Sequence, residues 1–450
     1  MTDIRAISDS VLFRIKPTDA EKSRLCALAE SIISRIDTLG RYEGIDIKGI
    51  LVGSSARRTW ISGEHDLDIF IMFPPDTERE YLEEKGLYVA RKIAMEGDSF
   101  EERYAEHPYI HAVFDGFEVD LVPAFNVKSG AEIKSAVDRT PFHNSYVSSK
   151  IKGLEEEVLL LKQFQKGIGV YGSELKTRGF SGFLVELLII NYGSFAKVLE
   201  AAGDWKAGIR IDIEKHGTLI HKDPLVMIDP TDPGRNVAAA LSLDNFCIFI
   251  DKACEFLKKP DENYFRVQVP RSLDDDDFKK IMSERGTSLL AIEFTAPDIV
   301  EDVLFPQLYK LEESVREMLE KYDFRVYNSG VWAYEKATVL FELESANLPH
   351  VKKHMGPQVW AKEFASSFKN KYENSKTFSN IYILNGKYVV EIPRKFSNAG
   401  KLIETELLKC SLGKHLALSI KKEYHVLEND ELLYIRNEEW RKFLRRFFEK

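Results

Sequence analysis

The sequence predicts an α+β protein in several parts: an α/β head, a helical centre, an α/β body of ferredoxin-like pattern and a basic C-terminal tail. Three observations predict it. At 450 residues the chain exceeds what one hydrophobic core usually organises, so about two to four domains are expected. The apolar pattern also changes along the chain. Strand-like and helical periods alternate up to about residue 145, helical periods alone run from about 148 to 260, and strand, helix, strand, strand follow. Charge is uneven as well: residues 351–450 hold 20 Lys and Arg against 12 Asp and Glu, whereas residues 1–350 hold 43 against 60. In a chain of net charge −9, the two ends are expected to meet different partners.

Residues 19–39 place Leu25, Leu28, Ala29, Ile32, Ile33 and Ile36 on one helical stripe, with Thr18 or Asp19 as cap. A strand-like run at 45–52 leads into a Gly53-Ser54 turn and a short helical stretch to Ile61. Residues 67–73 form a second strand, ended by Pro74-Pro75. Residues 78–105 read as a helix. Strands at 110–114 and 117–122 are joined by Asp115-Gly116, a dipeptide suited to a type I′ hairpin. Helices are expected at 151–168, 180–202 and 238–257, interrupted by the Pro- and Gly-rich DPTDPGRNVA (229–238). Beyond residue 265, strand, helix, strand and strand fall at 288–294, 299–322, 325–332 and 337–343. The acid run Asp274 to Asp277 lacks the alternation of a metal site and is expected to be a solvated loop. In the last helix Arg441, Lys442, Arg445 and Arg446 line one side and Trp440, Phe443, Leu444 and Phe447 the other. That helix should dock with its basic face outward. Domain boundaries are expected at 1–145, 146–262 and 263–450, with no internal repeat.

The 44% hydrophobic, 11% aromatic and 30% charged content is that of a globular protein. The densest apolar run, 183–190, contains Glu186 and is far shorter than a membrane span, so no membrane partner is expected. Asp3 and Arg5 stand where a secretory signal would need apolar residues, so a cytoplasmic location is expected. Cys26, Cys247, Cys254 and Cys410 form no CxxC pair and have no His at metal-ligand spacing. They read as buried thiols in a reducing compartment.

The sharpest local signal is VGSSARRTWISGEHDLDIF, residues 52–70. On a strand Asp66 and Asp68 share a face while Leu67 and Ile69 point to the core. Adjacent carboxylates raise one another's pKa unless a cation lies between them, and magnesium accepts one or two carboxylates plus phosphate oxygens and water. In FEVDLVP, Glu118 and Asp120 lie opposite Phe117, Val119 and Leu121, so pairing with the first acidic strand would bring Asp120 to the same ions. The Gly53-Ser54 turn offers backbone N–H groups to phosphate, and Ser54 and Arg57 would hold a triphosphate. Nucleotidyl transfer needs a 3′-hydroxyl to attack the α-phosphorus as pyrophosphate leaves, which a pair of ions can assist. Glu64 shares the alternation but precedes the strand and is placed at the loop edge. His65 is expected to face solvent.

Together these segments resemble the DNA polymerase β-type nucleotidyltransferase superfamily, and within it the archaeal (class I) CCA-adding enzymes. The resemblance rests on GSSARRTW (53–60), HDLDIF (65–70), EVDLVPAF (118–125), DRTPFH (138–143), GVYGSELKTRGFSGFLVELL (169–188), DPTDPGRNVAAALS (229–242) and HMGPQVW (354–360). It implies magnesium held by Asp66, Asp68 and Asp120, and nucleotide bound by Ser54, Arg57, His143, Lys162 and Tyr171. It also implies that Arg235 faces the nucleotide and helps select the base. The first domain would be catalytic, the second would complete the nucleotide site, and the third would bind tRNA. The implied reaction is template-independent addition or repair of the 3′-terminal CCA of tRNA from CTP and ATP, by a two-metal mechanism. A homodimer is compatible with the sequence. Gln358 departs from the proline that relatives often carry there, which touches only that loop.

Each residue also has a plainer reading. Lys162, on an otherwise apolar helix, could reach into a cleft or snorkel to solvent. Tyr171 could cover a helix end, and His143 could cap a turn after Pro141. Phe183, Leu184, Leu187 and Leu188 read as core. Lys352, Lys353, Lys369, Lys371, Arg394 and Lys395 suit RNA phosphates. Two other functions fit the same motifs: a poly(A)- or oligoadenylate-forming transferase of the superfamily, and a non-catalytic RNA-binding module on the same fold.

Overall fold

The computed structural model describes residues 4–64, 66–104, 107–128, 132–217 and 222–449; His65 lies outside them. The chain divides into two compact units, Met1–Gln268 and Val269–Lys450.

The first unit opens with α1 (Ile4–Ile15), a helix beyond the sequence expectations, which buries Ile7, Val11 and Ile15. α2 (Asp19–Glu43) begins with a capping box. The Thr18 hydroxyl accepts from the Glu21 N–H, and the Glu21 carboxylate accepts from the Thr18 N–H. Then follow β1 (Lys48–Val52), α3 (Gly53–Arg57), β2 (Asp66–Phe73), α4 (Arg79–Ala94), β3 (Ser99–Tyr104), β4 (Pro108–Phe114) and β5 (Phe117–Phe125). The strands form one sheet in the order β1-β2-β5-β4-β3. β2 and β5 pair in parallel and the other neighbours antiparallel. Asp115 (φ 51°) and Gly116 (φ 79°) are both left-handed, as a type I′ turn requires.

The helix expected at 78–105 stops at Ala94. At Gly97 the chain passes so close to β4 that a Cβ would stand 2.5 Å from the Val113 carbonyl oxygen. Ser99–Tyr104 then pair with β4 as an edge strand. That strand is exposed throughout, so it carries no apolar alternation to reveal it.

One face of the sheet buries Leu67, Ile69, Ile71, Val119 and Leu121 with Ile32, Ile36, Ala90 and Ile93. The opposite face carries a smaller apolar group, Val52, Phe70, Met72, Val122 and Ala124. The even-numbered acids of β2 and β5 extend that second face.

The unit continues with α5 (Thr140–Lys150), α6 (Glu155–Gly167), α7 (Gly182–Tyr192), α8 (Phe195–Ala202), β6 (Ile209–Ile211), β7 (Leu225–Met227) and α9 (Leu243–Lys258). The helix expected over 180–202 is broken, with α7 and α8 meeting at 92°. Gly193 takes φ 89° and the Ser194 side chain accepts from the Lys197 N–H, so one helix is stopped and the next started within two residues. α9 starts at Leu243, capped by Ser242, and not at 238. These helices share a core with α1 that includes Phe164, Phe180, Phe195, Phe249, Phe256 and Phe265. Among the described residues no single helix is long and apolar enough to cross a membrane.

The second unit contains α10 (Asp275–Arg285), β8 (Ser288–Thr295), α11 (Glu301–Lys321), β9 (Val326–Ala333), β10 (Lys336–Leu343), β11 (Val351–Gln358), α12 (Lys362–Glu373), β12 (Tyr382–Leu384), β13 (Lys387–Pro393), α13 (Ala399–Glu406), α14 (Leu416–Lys422), β14 (Tyr424–Glu428) and α15 (Glu438–Phe448). The expected strand, helix, strand, strand pattern builds a sheet of order β14-β8-β10-β9, beside a separate sheet β11-β13-β12.

Three expectations are corrected in these packing details. The acid run 274–277 is a helix start: the Asp274 carboxylate accepts from the Asp277 N–H, and the next acids occupy the first turn, where the helix dipole favours them. Arg441 turns inward. It is 8% exposed, donates to the Leu433 carbonyl at 2.8 Å and pairs with Asp275, so α15 docks through a cation as well as through Trp440, Leu444 and Phe447. The four cysteines are free, but Cys26 and Cys247 are exposed and Cys254 and Cys410 only half-buried.

Candidate active site

Parallel pairing sets Asp68 directly beside Asp120 and Asp66 beside Glu118. Strand alternation therefore does bring the three expected acids onto one face, Asp66 exposed and Asp68 and Asp120 half-buried. Burial pushes the Asp68 carboxyl up to about 6, Asp120 and Asp66 add to the rise, and Arg57 opposes it. His111 faces Asp120 across the β4–β5 pair, with Nδ1 2.7 Å from Asp120 Oδ1. Among the described residues no group of three or more His, Cys, Asp or Glu is arranged to hold a metal ion by itself. The acids form an open ledge and not a cage.

The Gly53-Ser54 turn abuts this ledge. Gly53 takes φ 76°, and a Cβ there would stand 2.0 Å from Asp68 Oδ2, so glycine is required both by backbone conformation and by the carboxylate. Ser54 sits half-buried in the first turn of α3. That helix has five residues, so it offers phosphate the N–H groups of a turn more than a helix dipole. Ser55 Oγ donates to the Asp66 carbonyl at 2.5 Å, which ties the turn to β2.

Arg57 is held from two sides. Its Nε donates to Glu186 Oε1 at 2.9 Å and its Nη1 to Asn144 Oδ1 at 3.1 Å. Glu186, on the apolar α7, is fully buried. Thr59 Oγ1 also donates to its Oε1, while Oε2 is without a hydrogen-bond partner. Lys162 does not snorkel. It is 3% exposed and donates from Nζ to the Thr59 carbonyl at 2.7 Å. Burial lowers its pKa to about 8, with Glu186 acting in the opposite sense.

Tyr171 comes to the same place. Its hydroxyl lies 3.1 Å from where a Cβ on Gly182 would stand, so the missing side chain makes room for it, and Lys162 Nζ lies 3.7 Å from the same point. Burial holds the Tyr171 hydroxyl protonated well above the usual range. Glu64, expected at the loop edge, pairs with Lys166, whose ammonium lies 5.1 Å from the Tyr171 ring centre.

A second cluster lies around α5. His143 is inside that helix and does not cap a turn. Its Nε2 is 2.8 Å from Asp229 Oδ2, and its ring stacks on Phe183 at 4.0 Å. Phe183 is thus only half-buried, while Leu184, Leu187 and Leu188 are core, as expected. Arg235 donates from Nη1 to the same Asp229 oxygen at 3.0 Å. The neighbours His143 and Asn144 connect the Asp229 cluster to Arg57. Sequence reasoning missed Glu186, Asn144, His111 and Asp229. The visible signal for Glu186 was a carboxylate inside an apolar helical run.

Residues 32–143 match the nucleotidyltransferase domain family, residues 156–266 the second domain of tRNA nucleotidyltransferase, and residues 285–429 the C-terminal domain of CCA-adding enzyme. A CCA-adding enzyme of Methanosarcina mazei is 50% identical over 440 residues, covering 97% of this chain and 97% of that one. One of Halobacterium salinarum is 40% identical over 436 residues, covering 96% of each. A solved cytoplasmic RNA terminal U-transferase is similar at a TM-score of 0.47 and 14% identity, over 60% of this chain and 99% of that one. Identity of this order along nearly the whole length of both chains means that the chain belongs to the CCA-adding enzymes.

Proposed function

We propose that this protein completes and repairs the 3′ end of tRNA, transferring CMP, CMP and AMP in turn from CTP and ATP and releasing pyrophosphate. The observation that carries the reading is the parallel register of Asp68 with Asp120 next to the Gly53-Ser54 turn. It sets a phosphate cradle against a carboxylate ledge. The tRNA 3′-oxygen would bond to the α-phosphorus while the bond from that phosphorus to the bridging oxygen breaks. The hydroxyl proton would pass to the carboxylate cluster.

The residues present fit magnesium. An open ledge whose central acid is raised by burial and by the acids beside it suits an ion that completes its shell with phosphate oxygens and water. Asp66, Asp68 and Asp120 would hold it, and when bound it neutralises charge on the attacking and leaving oxygens. The protein's own groups do the positioning. The Ser54 turn and Arg57 hold the triphosphate, Lys162 adds a compact charge, and Tyr171 and His143 line the nucleotide. Arg235 donates to the ring-nitrogen acceptor that cytosine and adenine share beside an exocyclic amine, a pattern reversed in uracil and guanine.

Unit two supplies a candidate tRNA surface. A groove of about 680 Å³ there is lined by Lys352, Lys353, His354, Arg325 and Arg394 along with Asp323 and Glu344. Shape and phosphate contacts suit a substrate set of many sequences. Lys352 and Arg394 are already paired with Asp323 and Lys395 with Glu406, so Lys353, Lys369 and Lys371 are the stronger candidates. Four free thiols support a cytoplasmic location. The deciding experiment incubates the protein with magnesium, tRNA lacking its 3′ end and one labelled nucleotide at a time. CTP should add first, and ATP only after two cytidines. Incorporation of ATP alone in long runs would make the protein a poly(A)-forming enzyme.

A further inference from the structure

The loop between β7 and α9 contains a fully buried carboxylate, Asp229. Both of its oxygens are occupied. Oδ1 accepts from the Thr231 N–H and from Thr231 Oγ1, each at 2.9 Å. Oδ2 lies 2.8 Å from His143 Nε2 and accepts from Arg235 Nη1 at 3.0 Å. The backbone repeats the link, because the Asp229 N–H donates to the Arg235 carbonyl at 3.0 Å. Asp229 is therefore bonded to Arg235 twice and to α5 once.

A carboxylate can only accept, so its partner nitrogen on His143 must carry the hydrogen. One oxygen thus fixes two side chains from different elements. The imidazole is clamped between that oxygen and the Phe183 ring, and the guanidinium is pinned by one of its five donors. The Arg235 side chain stays 39% exposed, so further donors can meet a ligand. A planar fork fixed at one corner loses little freedom when its other donors engage. Selecting a base by donor pattern needs such rigidity, since a flexible donor would follow the wrong base.

We infer that Asp229 is a specificity-determining positioning residue, which fixes Arg235 and His143 against each other so that the site admits cytosine and adenine and rejects uracil and guanine. The inference rests on the reading that Arg235 meets the base.

The test measures kcat/KM for CTP and UTP on tRNA lacking its 3′ end, and for ATP and GTP on tRNA that already ends in the two cytidines, in Asp229→Asn, in Arg235→Ala and in the double variant, with thermal melts of each. The amide of Asp229→Asn keeps the size but sets donors against donors. Discrimination of CTP over UTP and of ATP over GTP should fall about tenfold in each single variant, and no further in the double. If Asp229→Asn lowers all four values equally and leaves their ratios intact while Arg235→Ala collapses them, Asp229 is a loop staple and the inference is overturned, while the reading of Arg235 stands. If Arg235→Ala keeps the ratios, that reading falls and takes the inference with it, so the two failures are told apart by which variant keeps the wild-type ratio. Should Asp229→Asn fail to fold, Thr231→Val removes one donor to Oδ1 and leaves Oδ2 its partners. It should relax discrimination by a smaller factor, and unchanged ratios there also overturn the inference.

Discussion

Glu342 on β10 and Asp68 on β2 are both carboxylates set into β-sheets, and the protein treats them in opposite ways. Glu342 has no solvent exposure and is answered in full: Arg285 donates to it at 2.7 and 2.9 Å, and Thr287 at 2.6 Å. Asp68 is raised first by burial and then by Asp120 and Asp66 beside it, with Arg57 the countercharge that opposes the rise, so its carboxyl is not relaxed. A satisfied buried charge fixes a packing arrangement. A charge that is desolvated and also crowded by like charges favours a cation beside it, and such groups concentrate where proteins do chemistry.

The strongest test of this contrast is Asp68→Asn. Transfer should fall roughly a thousandfold, the upper range for losing a group that acts on transition-state charge. The metal-free protein should become more stable at neutral pH. Because the folded pKa is raised from 3.8 to about 6, the folded state holds this proton more tightly than the unfolded chain. The resulting stabilisation is complete below about pH 4 and lost as pH rises through 6. Asparagine removes the penalty above that, so a melt in chelator at pH 7 should shift upward by a few degrees. A downward shift would break the comparison.

Glu342→Ala should do the reverse. It leaves Arg285 without its partner and should cost about 2–4 kcal/mol in urea unfolding, while kcat of the folded protein changes little. The half-way case is Lys162, buried like Glu342 but near the ledge. Its pKa of about 8 predicts that KM for the nucleotide rises about tenfold per pH unit above 8, as the ammonium loses its proton. Lys162→Met should have the higher KM already at pH 7, with no such rise. Since Glu186 raises the Lys162 pKa, Glu186→Gln should move the onset to lower pH; an unmoved onset would separate the two groups. The smallest effect belongs to the exposed cations. Reversing charge at Lys353, Lys369 and Lys371 should weaken tRNA binding severalfold per site and flatten its salt dependence, with nucleotide KM unchanged. Equal tRNA affinity at moderate salt would remove them from the interface.

What could be read from the sequence was whatever a short period encodes. Asp66, Asp68 and Asp120 were legible because alternation fixes their face and Asp115-Gly116 fixes the hairpin that carries the third. β3 was not, because an edge strand exposed along its whole length has no alternation to show. The break between α7 and α8 was signalled by Gly193-Ser194, but an apolar run on both sides outweighs two turn residues in any window. Arg441 misled for a different reason: a cation on a helix suggests solvent, whereas here it reaches carbonyls of the Leu273 and Leu433 segments. Glu186, Asn144 and Asp229 take their meaning from partners far along the chain. Their roles became visible only when α5 and α7 were set beside the Gly53 turn.

The parallel pairing of β2 with β5 also ties the acid ledge to closure of the whole sheet. β4 and β5 are neighbours in the chain and can meet early through their two-residue turn. β2 can join β5 only after α4, β3 and β4 have been laid down between them, because parallel strands need a crossover. Non-local pairing of that kind carries a loop-closure cost that a hairpin does not. Asp68 and Asp120 are therefore neighbours only in a head whose β2–β5 pairing has formed. An intact acid ledge is a report that the topology of the head has closed.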